Sequence, residues 1–375
     1  MDKRERLQRT IAGEPVDRPP VALWRHWPVD DQTPEGLAEA TVHFQREWDW
    51  DFIKVTPSSS FCLRDWGARD EWRGHPEGTR DYVVRPVQSP DDWARLVVLD
   101  PCQGSLEAQL TALERIRAAL GDEVPVIQTV FSPLAQAKNL AGEDRLLLHL
   151  RRYPDALRRG LETITETTVR FVEAVRERGA DGIFYAVQHA RYGYMSEEEY
   201  RLFGRPYDLR ILEAARGMWL NVLHLHGEAV MLETLADYPV QVLHWHDREG
   251  GPALEVGQAL FGGAVSGGVG RRTLVLGTPE EIAAEVADAV ARTGGRRLIL
   301  STGCVAPLTT PWGNLRALRQ AVERITLSGG FRSASGGSEN HLALGCDPAP
   351  KEVTVVESFK IVPGPSLKKS YPFRE

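Results

Sequence analysis

Asn221-Val222-Leu223-His224-Leu225-His226-Gly227 and Val240-Gln241-Val242-Leu243-His244-Trp245-His246-Asp247 are the two stretches that decide the fold. Each is an apolar run that ends in two histidines at i and i+2. On a β-strand, residues two apart share a face, so each stretch reads as a strand with paired imidazoles at its end. The stretches lie about one βα unit apart, which predicts neighbours in a parallel sheet. His224 and His226 share a face with Val222, and His244 and His246 share one with Val242. Leu223 and Leu225, like Leu243 and Trp245, face the other way and are expected against a layer of helices. A cluster of up to four imidazoles is costly to bury without a metal, a charge partner or a substrate. The active site is therefore expected at these strand ends.

Outward from this pair, strand-like runs occur at residues 21–27, 52–56, 124–130, 182–187, 221–226, 240–246, 260–265 and 298–304. Amphipathic helical stretches separate them, among them 144–160 running on to 178, 197–218, 229–237 and 278–292. Strand–helix alternation repeated eight times predicts an α/β fold of the (β/α)8 (TIM) barrel type. A doubly wound sheet would show a glycine-rich turn after its first strand, and none follows Trp27. Gly262-Gly263 and Gly267-Gly268-Val269-Gly270 fall at and after the seventh run, where a phosphate loop or plain turn chemistry is the reading. The segment 60–102 is long for one loop and carries Trp66, Trp72 and Trp93, so an inserted lobe after strand two, over the barrel mouth, is expected. Residues 1–326 form the expected barrel. A helical pattern over 314–325 gives way at 327–375 to a glycine- and serine-rich linker and an atypical tail.

Composition excludes several classes. Of 375 residues, 42% are hydrophobic and 26% charged, and the formal charge is −7, with no basic run to favour nucleic acid. No apolar stretch approaches the ~18 residues of a membrane span, and the charged N-terminus lacks the apolar core of a signal peptide. A cytoplasmic protein is expected. The cysteines Cys62, Cys102, Cys304 and Cys346 show no CxxC spacing and no disulfide framework.

Barrel enzymes carry their chemistry at the C-terminal ends of the strands. There the sequence offers Arg25, Lys54, Thr56, Tyr185, His189, His224, His226, His244, His246, Asp247 and Cys304. Two imidazoles and a thiolate from across the barrel suit zinc, and three protein ligands leave a position open for water or substrate. Two other readings stay open for the histidines: contacts to a polar or anionic substrate, and structural hydrogen bonding in the barrel mouth. Arg25 is expected to clamp a carboxylate or phosphate. Tyr185 is expected to orient substrate, and Asp247 to fix the tautomer of a neighbouring histidine.

The chain resembles the uroporphyrinogen decarboxylase superfamily over about residues 1–326. The resemblance is carried by Lys3-Arg-Glu-Arg and Gly13-Glu-Pro-Val-Asp-Arg-Pro-Pro20, Ser132-Pro-Leu-Ala135 with Asn139-Leu-Ala-Gly142, and Arg178-Gly-Ala-Asp-Gly182. Gly277-Thr-Pro-Glu-Glu281 and Gly303-Cys-Val-Ala-Pro307 through Pro311-Trp-Gly-Asn-Leu315 complete it. The superfamily fold is a (β/α)8 barrel. Its decarboxylase branch uses two Arg after strand one, an Asp after strand two and a His after strand eight. Here Arg25 matches the first Arg, but Val29, Thr56 and Cys304 stand at or near the other three positions. Its zinc-dependent methyltransferase branch carries His-x-Cys after strand five and a distant Cys, and this chain has His224-Leu225-His226 and Cys304 there. The resemblance thus implies zinc on His224, His226 and Cys304, no nucleotide cofactor, and methyl transfer from a corrinoid partner to a thiol-type acceptor. His244 and His246 belong to neither pattern, which leaves a third activity open, with these two, Arg25, Tyr185 and Asp247 as catalytic candidates. The alternative is a metal-free decarboxylase of a porphyrinogen or smaller polycarboxylate; a non-enzymatic module that carries a corrinoid or tetrapyrrole is a further one. A small-molecule substrate, a corrinoid protein and a homodimer partner are the expected associates.

Overall fold

The structure is a computed structural model and describes residues 1–328. Its strands are β1 (Ile53–Val55), β2 (Arg69–Glu71), β3 (Asp81–Val84), β4 (Val126–Phe131), β5 (Gly182–Val187), β6 (Val222–Leu225), β7 (Val242–Trp245), β8 (Ala264–Val269) and β9 (Leu298–Thr302). Seven of them form one parallel sheet in the order β1-β4-β5-β6-β7-β8-β9. Every residue of these seven strands is buried, as expected of a parallel sheet covered on both sides.

The expected first strand closes the ring but is shorter than its sequence suggests. Only Val21 bridges Leu300 in the ladder, with Ala22 N–H donating to Leu300 O at 3.0 Å and Asp51 N–H donating to Val21 O at 2.9 Å. Pro19 and Pro20 supply no N–H at its start, which limits pairing. Beyond Val21 the chain leaves the sheet, and Trp24 O accepts from Ala306 N–H of the loop after β9. The closure is pinned from below by Asp51, whose side chain is fully buried. It accepts from Arg6 at 2.6 Å, from Arg18 at 2.7 and 3.0 Å, and from Val21 N–H at 2.7 Å. The (β/α)8 barrel expectation holds, with this segment as its first stave.

The seventh expected run, 260–265, is displaced. Helix Leu254–Leu260 occupies its start, and the strand is Ala264–Val269. Gly267 and Gly268, read from sequence as turn residues, lie inside the strand. A Cβ at Gly268 would come 2.6 Å from Ala289 Cβ on the helix Pro279–Thr293, so the glycine is there for close helix–strand packing. The long helix expected from 144 is two, Glu143–Arg152 and Pro154–Glu177, because Pro154 cannot continue the first.

Segment 60–102 contains the antiparallel pair β2–β3 and short 3₁₀ turns at Arg64–Trp66 and Pro90–Arg95. The loop between β2 and β3 meets the loop after β9, with Leu308 N–H donating to Pro76 O at 2.7 Å. The expected tail 327–375 lies outside the described residues, apart from the two that end the helix Trp312–Ser328. No helix among the described residues is long and apolar enough to cross a membrane.

Candidate metal centre

Parallel pairing of β6 and β7 puts His224 opposite His244. Both point into the barrel, as the strand phase predicts. Four side chains converge there: His224, His226, His246 and Cys304, whose donor atoms all lie within 4.8 Å of one another. The pairwise spacings carry the argument. His224 Nε2 lies 3.4 Å from His226 Nδ1, and His246 Nε2 lies 3.3 Å from the same atom. Cys304 Sγ lies 3.8 Å from His224 Nε2 and 3.6 Å from His226 Nδ1. A tetrahedral ion with Zn–N near 2.0 Å and Zn–S near 2.3 Å has N···N edges of about 3.3 Å and N···S edges of about 3.6 Å. Four of the six donor pairs, all those that include His226 Nδ1 together with Cys304 Sγ–His224 Nε2, are thus close to the edges of one coordination shell.

Hydrogen bonding fixes which ring nitrogens are free. His244 Nε2 lies 2.8 Å from Thr302 O, which only accepts, so His244 carries its proton there. Its Nδ1 is then an acceptor, and His224 Nδ1, 2.7 Å away, donates to it. That leaves His224 Nε2 unprotonated and facing the cluster. His246 Nδ1 lies 3.0 Å from Glu249 Oε2. Burial alone would raise the Glu249 carboxyl, but His246 and Arg271 outweigh it and hold the group at about 2. Glu249 is therefore an ionised acceptor for His246 Nδ1–H. Burial alone would lower His246, but its contacts with Cys304 and Glu249 outweigh it and raise the imidazole above its ordinary value, so a metal taken up at Nε2 would displace a proton. Carboxylate or carbonyl support behind a ligating imidazole is the usual arrangement at metal sites.

The electrostatics agree. Burial, followed by the neighbouring imidazoles, pushes His224 well below its ordinary value. Burial also takes His226 down to about 4 and His244 to about 3. Metal binding requires neutral imidazoles; of the three in the cluster, His224 and His226 are neutral at pH 7, and His246 is the one that would have to release a proton. Phe184 stacks on His224 at 5.1 Å and Trp24 packs edge-on against His244 at 5.1 Å, so the rings are held by apolar packing as well.

His224, His226 and Cys304 of the cluster line a cavity of about 420 Å³. Lys54, Lys138, His189 and Arg191 also line it, with Tyr82 and Arg85 from the segment after β1. Lys54 Nζ lies 4.6 Å over the Phe184 ring and 3.2 Å from Thr56 Oγ1. Burial brings its ammonium down to about 7, against the pull of Cys304.

Several residues expected at the substrate are elsewhere. Arg25 faces away from this cavity, its guanidinium 4.8 Å from the Trp27 ring, and its neighbour His26 lines the cavity instead. The chain has left the ladder there, so strand alternation does not apply. Tyr185 is fully buried on the helix side of β5 and donates to Asp208 at 2.6 Å; Phe184 and Ala186 face the cavity. Asp247 accepts from Gly268 N–H at 3.0 Å and lies against β8, so it supports no histidine. Glu249 has that role, and its signal in the sequence is the i, i+3 spacing from His246. His244 lies behind His224 rather than at the cavity, while His246 joins the ligand set.

A family model described as uroporphyrinogen decarboxylase (URO-D) matches residues 2–325, and the chain belongs to that family. It is 28% identical over 84% of its length to a methylcobamide:CoM methyltransferase of Methanosarcina barkeri, covering 96% of that protein. It is 29% identical over 82% of its length to a uroporphyrinogen decarboxylase of Anaeromyxobacter dehalogenans, covering 95% of it. Among solved structures, a methyltransferase from Methanosarcina mazei matches with a TM-score of 0.76 at 22% identity. It covers 87% of this chain and 99% of that one, and the likeness supports the barrel fold. The chain is an enzyme of this superfamily, as expected.

Proposed function

We propose that this protein transfers a methyl group from a methylated corrinoid partner to a thiol-type acceptor, with zinc held by His224, His226, His246 and Cys304. The observation that carries the reading is the spacing of those four donor atoms, 3.3 to 3.8 Å across the measured pairs. The likeness to methylcobamide:CoM methyltransferases supports the reaction class. Zinc bound there would supply the Lewis acidity that lowers the pKa of the acceptor thiol and makes it a nucleophile at neutral pH; with four protein donors present, the thiol would join as a further ligand or take the place of one of them.

The residues of the chain do the rest. His244 and Glu249 orient the ligating rings of His224 and His246. Lys54 Nζ receives the proton that the acceptor thiol gives up. Phe184 and Trp24 keep water from the inner face of the cluster. The decarboxylase reading has less support, because Arg25, the one matching arginine of that branch, is turned toward Trp27 and away from the cavity.

Metal analysis of tag-free protein from zinc-replete culture tests the proposal. One zinc per chain is expected, falling well below that in His226→Ala and Cys304→Ser. Thiol-dependent loss of the methyl group from free methylcobalamin, followed by absorbance, reads the reaction. Protein that folds yet carries no zinc would sink the proposal.

A further inference from the structure

A chain of charged groups runs from the loop between β2 and β3 to the support of a metal ligand. Glu77, in that loop, lines the cavity and meets Arg271 Nη1 at 2.5 Å, although the two lie 194 residues apart. Arg271 opens the helix Arg271–Leu276 after β8. Its Nε donates toward both oxygens of Glu249 at 3.3 Å, and its backbone N–H donates to the same carboxylate at 2.9 Å. Glu249 in turn accepts from His246 Nδ1–H at 3.0 Å. One guanidinium thus lies between two carboxylates, one on the lobe and one behind a ligating imidazole. Charge-assisted bonds of this kind are stronger than neutral ones.

The lobe is tied differently at its two ends. Near its root, Arg85 donates to Lys138 O at 3.2 Å and to Asn139 O at 2.7 Å. Tyr82 Oη lies 2.9 Å from Ser59 Oγ, and Arg80 donates to Pro28 O at 2.7 Å. At the tip, the polar ties of residues 72–79 to the barrel, among the described residues, are the Glu77–Arg271 pair and the bond from Leu308 N–H to Pro76 O. Gly78, at φ +79°, lets the tip settle on the first stave, since a Cβ there would stand 2.6 Å from His26 Cβ. A segment held by so few contacts opens at a small cost in free energy, and Glu77 supplies the one side-chain tie.

We infer that Glu77 and Arg271 are positioning residues for His246, and that seating of the lobe tip and binding of the metal form one coupled equilibrium. The inference rests on the metal reading above. With the tip seated, Arg271 is fixed between its two carboxylates and Glu249 is fixed on His246. With the tip lifted, Arg271 Nη1 returns to water, the guanidinium is free to swing, and Glu249 keeps only its backbone donor. The imidazole is then less firmly aimed. The metal is therefore held best with the tip down, and by reciprocity a bound metal holds the tip down. Because Glu77 also walls the cavity, a partner that lifts the tip to enter loosens the hold on His246 in the same movement.

Two measurements on the full-length protein test this: zinc affinity by competition with a chromophoric chelator, and hydrogen exchange over residues 74–79 with and without zinc. In the unaltered protein, zinc should slow exchange at the tip about fivefold or more. Glu77→Gln and Arg271→Lys should each weaken zinc binding by about that factor, and in both zinc should no longer slow the tip. Arg271→Lys keeps the charge and the backbone N–H but gives up the fork that meets two carboxylates. Glu77 sits in a surface loop, so Glu77→Gln keeps the test alive should Arg271→Lys fail to fold. Tip exchange that is the same with and without bound zinc would overturn the coupling and leave the metal reading standing. So would an Arg271→Lys protein that matches the unaltered one in both measurements, because Arg271 would then act only as a distant charge. An unaltered protein that takes up no zinc would overturn the metal reading and this inference with it.

Discussion

His224 and His244 share a hydrogen bond of 2.7 Å between their Nδ1 atoms, and its direction is set 2.8 Å further on, where His244 Nε2–H donates to Thr302 O. A backbone carbonyl on β9 thereby decides which nitrogen of a residue on β6 faces the metal cluster. His244→Phe keeps the apolar packing with Trp24 but leaves His224 Nδ1–H without an acceptor. Zinc affinity, measured by competition with a chromophoric chelator, should fall about 10–100-fold, with the far-ultraviolet spectrum unchanged. Unaltered affinity would show that the pair does not orient the ligand.

Glu249 and Asp247 separate by function although they are two residues apart. Glu249 meets His246 at 3.0 Å, and Arg271 N–H donates to it at 2.9 Å. Asp247 meets Gly268 N–H. Glu249→Gln should therefore weaken zinc binding about tenfold, and Asp247→Asn should leave it within about twofold. A larger effect of Asp247→Asn would return that residue to the support of the cluster.

The sequence discloses the barrel because strand–helix alternation is a long-range pattern that no single residue can spoil. It also discloses His224 and His226, since a leucine on each side of the strand fixes their phase. β5 is different: Gly182-Ile183-Phe184-Tyr185-Ala186-Val187 is apolar on both faces, so nothing in it separates Phe184, which lines the cavity, from Tyr185, which does not. The partner that draws Tyr185 outward, Asp208, lies on a helix 23 residues later. Arg25 and His26 were out of reach for another reason. Their segment leaves the sheet after one bridge, and its direction is set by contact with the loop after β9. His246 is legible as one of the paired imidazoles, and Glu249 by its i, i+3 spacing, but that the two join the cluster while His244 lies behind it depends on the fold of the loop after β7.

Asp208 links stability to pH. It is fully buried, and its carboxylate accepts from Tyr185, Tyr200 and Tyr238. Burial raises it from 3.8 to about 6 despite those three donors. A carboxyl raised in the folded state holds its proton where the unfolded chain has lost it. Folding stability therefore falls as pH rises from about 4 to about 6, and the loss is complete above the folded value. The contribution is at most about 3 kcal/mol, since each tenfold change in proton affinity is worth about 1.4 kcal/mol. Urea unfolding at pH 4.5 and pH 7.5 should show this dependence in the unaltered protein relative to Asp208→Asn, which cannot titrate. Parallel stability profiles for the two proteins would refute it. Tyr185→Phe, which removes one donor, should leave zinc binding unchanged, because this network lies outside the cavity.

Asp51 is the residue on which ring closure depends. It neutralises Arg6 and Arg18, both buried, and holds Val21 N–H at the point where the first stave joins β9. Asp51→Asn keeps the shape and the contact to Val21 but leaves Arg6 with Asp17 as its remaining carboxylate and removes the carboxylate that pairs with Arg18. Breaking one side of a buried ion cluster costs about 3–5 kcal/mol, so a large downward shift in the urea midpoint is expected at unchanged slope. The same change should loosen the site as well, because Trp24, three residues past Val21, packs on His244. Zinc affinity is expected to drop together with stability in Asp51→Asn, whereas a surface pair such as Arg158–Asp155 should affect neither. If Asp51→Asn unfolds at the midpoint of the unaltered protein, closure of the barrel does not rest on this carboxylate.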